Sequence, residues 1–155
     1  MKILLIIIAS LSLLVIIAIF ILGYMSRSGE AYGLVEGRLK QCPDTPNCVN
    51  SEFVSDPVHY IEPLVFSAGE AAQILPRLKT IIREMDGNIQ VEKADYLAAT
   101  FTSSIFRFVD DLEIRIDTGQ GMIHLRSASG VGRSDGGVNR KRVELLKNRF
   151  DLKTS

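Results

Sequence analysis

The feature that most constrains this chain is an uncharged run from Ile3 to Tyr24, 22 residues interrupted only by Ser10, Ser12 and Gly23. At about 1.5 Å per residue, a helix of that length covers roughly 33 Å, slightly more than the hydrocarbon core of a bilayer. Tyr24 closes the run where interfacial aromatic residues sit. A cleaved signal peptide is the rival reading, but the run is long for a signal's apolar core and no small-x-small site follows it cleanly. No cysteine near its end offers a lipid attachment point. The expectation is an uncleaved, single-pass anchor over residues 1–24, with the membrane itself as a partner through Ile3 to Tyr24. Flanking charge orients it weakly. Lys2 precedes the run and Arg27, Arg38 and Lys40 follow, which slightly favours a bulk domain on the inner side.

The rest of the 155 residues suffice for one small domain. Eighteen basic residues balance eighteen acidic ones, so net charge gives no general attraction to nucleic acid. Residues 25–41 carry Gly29, Gly33 and Gly37 among scattered charges and read as a linker. A single domain is expected over 42–155. Pro43, Pro46, Pro57 and Pro63 punctuate its start, which predicts an ordered loop leading to a short strand near His59 to Phe66.

Ser67-Ala68-Gly69-Glu70 has the form of a capping box. After it, Ala71, Ile74, Leu75, Leu78, Ile81, Ile82 and Met85 share one helical face. Pro76 should kink or restart that helix, and Gly87 should cap it. Strand signals follow at 88–92, 96–102, 108–117 and 122–128, the last two flanking the hairpin loop Thr118 to Gly121. Opposing Asp117 to Met122 sets Ile114 against Leu125 and Glu113 against Arg126. One face then becomes apolar, and the other carries Asp111, Glu113, Arg115, His124 and Arg126. A second helix is expected from about Gly137 to Asp151. Val143, Leu146 and Phe150 form one apolar edge, Val138, Leu145 and Leu152 another, and Asn139, Arg142 and Arg149 lie between. The order predicts an α+β domain: an antiparallel sheet of four to five strands with two helices packed on one face.

Few residues point to chemistry. Cys42 and Cys48 suit a small disulfide loop in an oxidising compartment; free thiols, redox chemistry or metal binding are the alternatives. No metal site and no cofactor are expected. The disulfide reading places the domain outside the cytoplasm. His124 reads as an ordinary surface histidine. Asp110 and Asp111 adjoin in a strand and point to opposite faces, so they form no acid–base dyad. Asp110 should turn inward and pair with Arg142, structurally rather than catalytically. From Arg126 onward the chain has eight basic and three acidic residues, against nine and fifteen in 25–125. Gly130, Gly132, Gly136 and Gly137 before a helix N-terminus are ingredients of an anion site, although Asp135 in the same loop suits an N-cap. The candidate polar or anion-binding cluster is Asp110, Arg126, Asp135, Asn139 and Arg142, with Asn139 expected to bond the backbone of the 130–137 loop.

Several segments match a known pattern in order: Cys42-Pro43-Asp44-Thr45-Pro46-Asn47-Cys48-Val49, Phe108-Val109-Asp110-Asp111, Arg126-Ser127-Ala128-Ser129, Val131-Gly132, and Ser134 through Arg142. Together, over roughly Leu39 to Leu146, they resemble the domain of unknown function 1499 family. The resemblance implies a mostly bacterial envelope or membrane-associated protein, with relatives in plant plastids, and implies no activity. The family usually has an arginine after the Ser-Ala-Ser run, where this chain has Gly130. Three functions compete. The first is a non-catalytic binding or accessory domain anchored at the bacterial inner membrane, facing the periplasm, with an envelope protein or small anionic ligand as partner. The second is an enzyme or anion-binding domain acting on an anionic envelope substrate through Asp110, Asp135, Asn139 and Arg142. The third is a thiol-redox protein using Cys42 and Cys48.

Overall fold

The computed structural model describes residues 1–28, 31 and 33–152. Gly29 of the expected linker lies outside the described residues. Helix α1 spans Lys2–Met25, with mean hydropathy 3.3 in its most apolar window and none of that window buried. It is long and apolar enough to cross a membrane. A 3-10 turn at Ser26–Ser28 follows. Part of the segment read as a linker is ordered: β1 (Leu34–Val35) and β2 (Arg38–Leu39) form a hairpin of their own. Its turn places Glu36 and Gly37 at φ 52° and 77°.

The main sheet has six strands: β3 (Cys48–Asn50), β4 (Leu64–Val65), β5 (Asn88–Glu92), β6 (Tyr96–Thr102), β7 (Val109–Asp117) and β8 (Met122–Ser129). The order along it is β3-β8-β7-β6-β5, all antiparallel, and β4 also pairs with β8. β3 and β4 therefore share one edge of β8, the first against Arg126 to Ala128 and the second against Met122 and Ile123. β3 adds a strand beyond the sequence expectation. The strand expected near His59 to Phe66 shortens to Leu64–Val65. Before it, Tyr60 makes an isolated parallel bridge to Asn50 of β3, and Pro63, which has no N–H to donate, separates the two. The β7–β8 register is the expected one, with Asp117 opposite Met122, Ile114 opposite Leu125 and Glu113 opposite Arg126.

α2 (Ala71–Glu84) and α3 (Val138–Leu152) cover one face of the sheet. Ile74, Leu78, Ile81 and Ile82 of α2 meet Val143, Leu146 and Phe150 of α3 over Leu97, Leu112, Ile114, Ile123 and Leu125. The Glu70 carboxylate accepts the Ser67 backbone N–H at 2.9 Å, closing the capping box around a 3-10 turn that leads into α2. The Ser67 hydroxyl, and after it that backbone bond, hold the Glu70 carboxyl below its ordinary range. α2 runs through Pro76 without a break. At its C-terminus Asp86, not Gly87, takes the left-handed conformation, at φ 62°. The Asp86 and Gly87 N–H groups bond Arg83 and Ile82 carbonyls, the two bonds of a Schellman motif. Gly87 is required for a different reason: a Cβ there would lie 2.6 Å from both Ile82 and Phe101 side chains. Of the two apolar edges expected on α3, only Val143, Leu146 and Phe150 is buried. Val138, Leu145 and Leu152 stay exposed, because the sheet and α2 reach one side of the helix.

The opposite face of the sheet is not open to solvent. Leu39 of β2 packs on Tyr96 and Ala98, and Cys42 and Cys48 pack on Ala128. Asp111, Glu113, His124 and Arg126 are consequently buried. The surface position expected for His124 is thus corrected. Burial, then the Arg115 charge beside it, lowers the His124 pKa, and Ser51 Oγ lies 3.4 Å from its Nδ1.

Candidate functional site

Strand alternation divides the polar residues between two layers, one on each face of the sheet. On the helix face, Asp110 Oδ2 accepts from Arg142 Nη2 at 2.7 Å, as strand and helix phase predicted. Arg142 also donates to Ser127 Oγ at 3.0 Å and to the Asn139 side-chain carbonyl, and its guanidinium lies 4.8 Å from the Phe101 ring centroid. Asn139, 1 % exposed, donates through Nδ2 to the Asn47 carbonyl, Ser129 Oγ and Asp135 Oδ2. The expectation that Asn139 holds the backbone of the 130–137 loop is corrected: it grips the Asp135 side chain and the disulfide loop instead. Asp135 Oδ1 accepts from Gly137 N–H at 2.9 Å, and Oδ2 from Asn139 N–H at 2.7 Å. A carboxylate of the protein itself therefore fills the start of α3, where a bound anion would have to sit.

Asn47 joins the two loops. Its Nδ2 donates to the Gly132 carbonyl at 2.8 Å, its Oδ1 accepts from Thr45 Oγ1, and its carbonyl accepts from Ser129 N–H and Asn139. Sequence reasoning had not singled it out, although its place between two half-cystines limits where it can point. Cys42 and Cys48 form a disulfide. His59 supports the same loop, with Nδ1 2.7 Å from Asp56 and Nε2 3.1 Å from the Thr45 carbonyl. Replacing both cysteines by alanine is expected to cost about 2 kcal/mol, since the short closed segment regains freedom in the unfolded chain. Urea unfolding with and without reductant measures this.

The second layer lies under the β1–β2 hairpin. Glu113, fully buried, accepts from Tyr96 Oη at 2.6 Å, Arg126 Nη1 at 2.7 Å and Gly33 N–H at 3.1 Å. Burial and the Glu113 carboxylate together push the Tyr96 hydroxyl well above its ordinary pKa. Arg126 thus belongs to this layer. Its grouping with Asp110, Asp135, Asn139 and Arg142 is corrected, because neighbouring strand residues face opposite sides of the sheet and its neighbour Ser127 is the one that reaches Arg142. Further along, Glu52 receives Arg38 Nε at 2.9 Å and Arg115 Nε at 2.6 Å, although its own side chain is fully buried. Sequence gave no signal for Glu52, which lies in a loop of irregular backbone.

Asp111 differs from every other acidic group in this layer. It is 7 % exposed, and its Oδ1 is buried without a hydrogen-bond partner. Burial, reinforced by the Glu113 charge and opposed by Arg126, pushes its pKa up to about 6. It separates two cavities. One, about 460 Å³, is lined by Lys40, Cys42, Asn47, Arg126 and Ser129 among others. The other, about 580 Å³, is lined by Arg27, Gln90, Ala98, Thr100 and Val109 among others. Among the described residues no three His, Cys, Asp or Glu side chains are grouped to hold a metal ion.

The two loops that Asn47 joins and the β7–β8 pair are the segments that carried the resemblance. A family model described as a protein of unknown function, DUF1499, matches residues 38–150. The match opens within the β1–β2 hairpin, takes in both polar layers and leaves α1 outside. No curated protein matches the chain. With the match covering nearly the whole α+β domain, this chain belongs to the DUF1499 family of proteins of unknown function.

Proposed function

We propose that this protein is a single-pass, membrane-anchored binding module whose α+β domain holds a small polar ligand at Asp111. The observation that carries the reading is the buried Asp111 oxygen without a partner, between two cavities. Buried polar groups are nearly always paired, and an unpaired one costs about 1–3 kcal/mol. A ligand that brings an amine or hydroxyl donor would recover that cost on binding. Anchoring is supported by the apolar length of α1, none of whose most apolar window is buried in the domain. The Cys42–Cys48 disulfide supports a domain outside the reducing cytosol, hence the periplasmic side of a bacterial inner membrane.

The test is a nuclear magnetic resonance titration of the full chain with ethanolamine, glycerophosphoethanolamine and inorganic phosphate. Amine-bearing probes are expected to shift the amides of Asp111, Arg126 and Ser129, and Asp111→Asn is expected to abolish those shifts. No response to any probe would sink the reading. Phosphate shifts centred on Asp135, Asn139 and Arg142 would instead favour an anion-binding domain acting through Asp110, Asp135, Asn139 and Arg142. A pH effect accompanies the site. The folded pKa of Asp111 lies above the ordinary value of 3.8, so between roughly pH 4 and 6 the native state binds more protons than the unfolded state. Its contribution makes the fold more stable as pH falls from 7 to 5. His124, with its lowered pKa, acts in the opposite direction. The difference in melting temperature between wild type and Asp111→Asn across that range isolates the carboxylate, and a difference independent of pH would exclude the raised pKa.

A further inference from the structure

The end of α1 is docked against the domain. A Cβ at Gly23 would overlap the Phe106 carbonyl oxygen, so only glycine admits this approach of helix and β6–β7 loop. Between one and two turns before the end of the helix, the Phe20 ring meets the Phe106 ring edge-on, with centroids 5.5 Å apart. Ser26 Oγ donates to the Gly23 carbonyl at 2.6 Å and accepts the Val109 N–H at 2.9 Å. The loop is closed by Ser103, whose N–H donates to the Phe108 carbonyl and whose hydroxyl accepts the Phe108 N–H. At its tip Ile105 is 70 % exposed.

These contacts fix the loop's depth relative to the helix. Phe20 lies five residues before Met25, roughly 7 Å back along the axis at 1.5 Å per residue. A ring packed beside it cannot stand clear of the surface that α1 leaves. If α1 spans a bilayer, Phe106 and Ile105 lie at the boundary between headgroups and acyl chains, where apolar and aromatic residues flanked by arginine are favoured. Arg27 and the exposed Arg107 flank this surface and suit the phosphates of the headgroups.

We propose that the Ser103–Phe108 loop is a second membrane contact, seating the domain on the lipid surface at a fixed angle. The proposal rests on the anchored reading of α1. The occupant of the surface made by exposed Ile105 and half-buried Phe106 is lipid, argued from its continuity with the apolar surface of α1.

The chain has no tryptophan, so single-tryptophan variants report depth directly. The full-length protein carrying Leu14→Trp, Ile105→Trp or Val65→Trp is reconstituted in phosphatidylcholine–phosphatidylglycerol vesicles containing lipids brominated near the headgroup or near the chain end. Val65 is 71 % exposed and pairs with Met122, at the end of the sheet remote from Val109. Leu14→Trp is expected to be quenched by deep bromines, Ile105→Trp to shift to the blue and be quenched by shallow ones, and Val65→Trp to remain unquenched. Ile105→Trp behaving like Val65→Trp while Leu14→Trp is quenched would overturn the loop contact and leave the anchor standing. An unquenched Leu14→Trp would overturn both. Adding Gly23→Leu, which drives a side chain into the Phe106 carbonyl, is expected to move Ile105→Trp toward the behaviour of Val65→Trp. Unchanged quenching in that variant would overturn the role of the α1 contact in seating the loop.

Discussion

Replacing Glu113 by alanine is expected to destabilise the domain by about 3–5 kcal/mol, the usual cost of removing one partner from a buried ion pair. The reason is what remains. Arg126 is 3 % exposed and would keep its charge away from water, while the Tyr96 hydroxyl and Gly33 N–H would lose their acceptor. Chemical denaturation followed by circular dichroism reads the loss. The double variant Glu113→Leu, Arg126→Met should cost much less than the two single changes summed, because a buried pair exchanged for apolar side chains of similar volume leaves no stranded charge. Additive single and double effects would show that Glu113 and Arg126 are not coupled.

Arg142→Ala is expected to cost a similar amount, about 3–5 kcal/mol, on the other side of the sheet. Its guanidinium joins Asp110, Ser127 and Asn139 and covers the Phe101 ring. The pair with Asp110 is mostly buried, with side chains 9 % and 13 % exposed, so solvent screens it little. A double-mutant cycle with Asp110→Ala should return a coupling of about 1–3 kcal/mol. Arg142→Lys should rescue little, since an ammonium cannot replace a planar fork that serves three acceptors and an aromatic face. Stability left intact by Arg142→Ala would shift weight to the anion-binding alternative, in which Arg142 is held for a ligand.

These two predictions differ in how far they could be read from the chain alone. Asp110 and Arg142 were legible, because alternation along β7 and the 3.6-residue period of α3 each point a side chain toward the same interior. The β7–β8 register was legible for a similar reason: one residue of slip would expose Ile114, Ile123 and Leu125 together. The buried face of α2 followed from the spacing of Ile74, Leu78, Ile81 and Ile82. Two cysteines close together suit a disulfide but leave free thiols, redox chemistry or metal binding open, and the structure shows the Cys42–Cys48 bond.

What covers the other face of the sheet could not be read that way. The β1–β2 hairpin has two residues in each strand, too few for any period to show, and glycines around it read as a linker. Glu52 and Asn47 lie in loops, where no repeat dictates direction. Yet these pieces decide that Glu113 and Arg126 form a buried pair, that His124 is withdrawn from water, and that Asp111 lies between two cavities. Local sequence determined which residues share a face, because helix and strand geometry repeat over a few residues. Tertiary structure alone decided which face would be desolvated, because burial depends on segments remote in the chain arriving there, and desolvation is what turns ordinary surface charges into a candidate site.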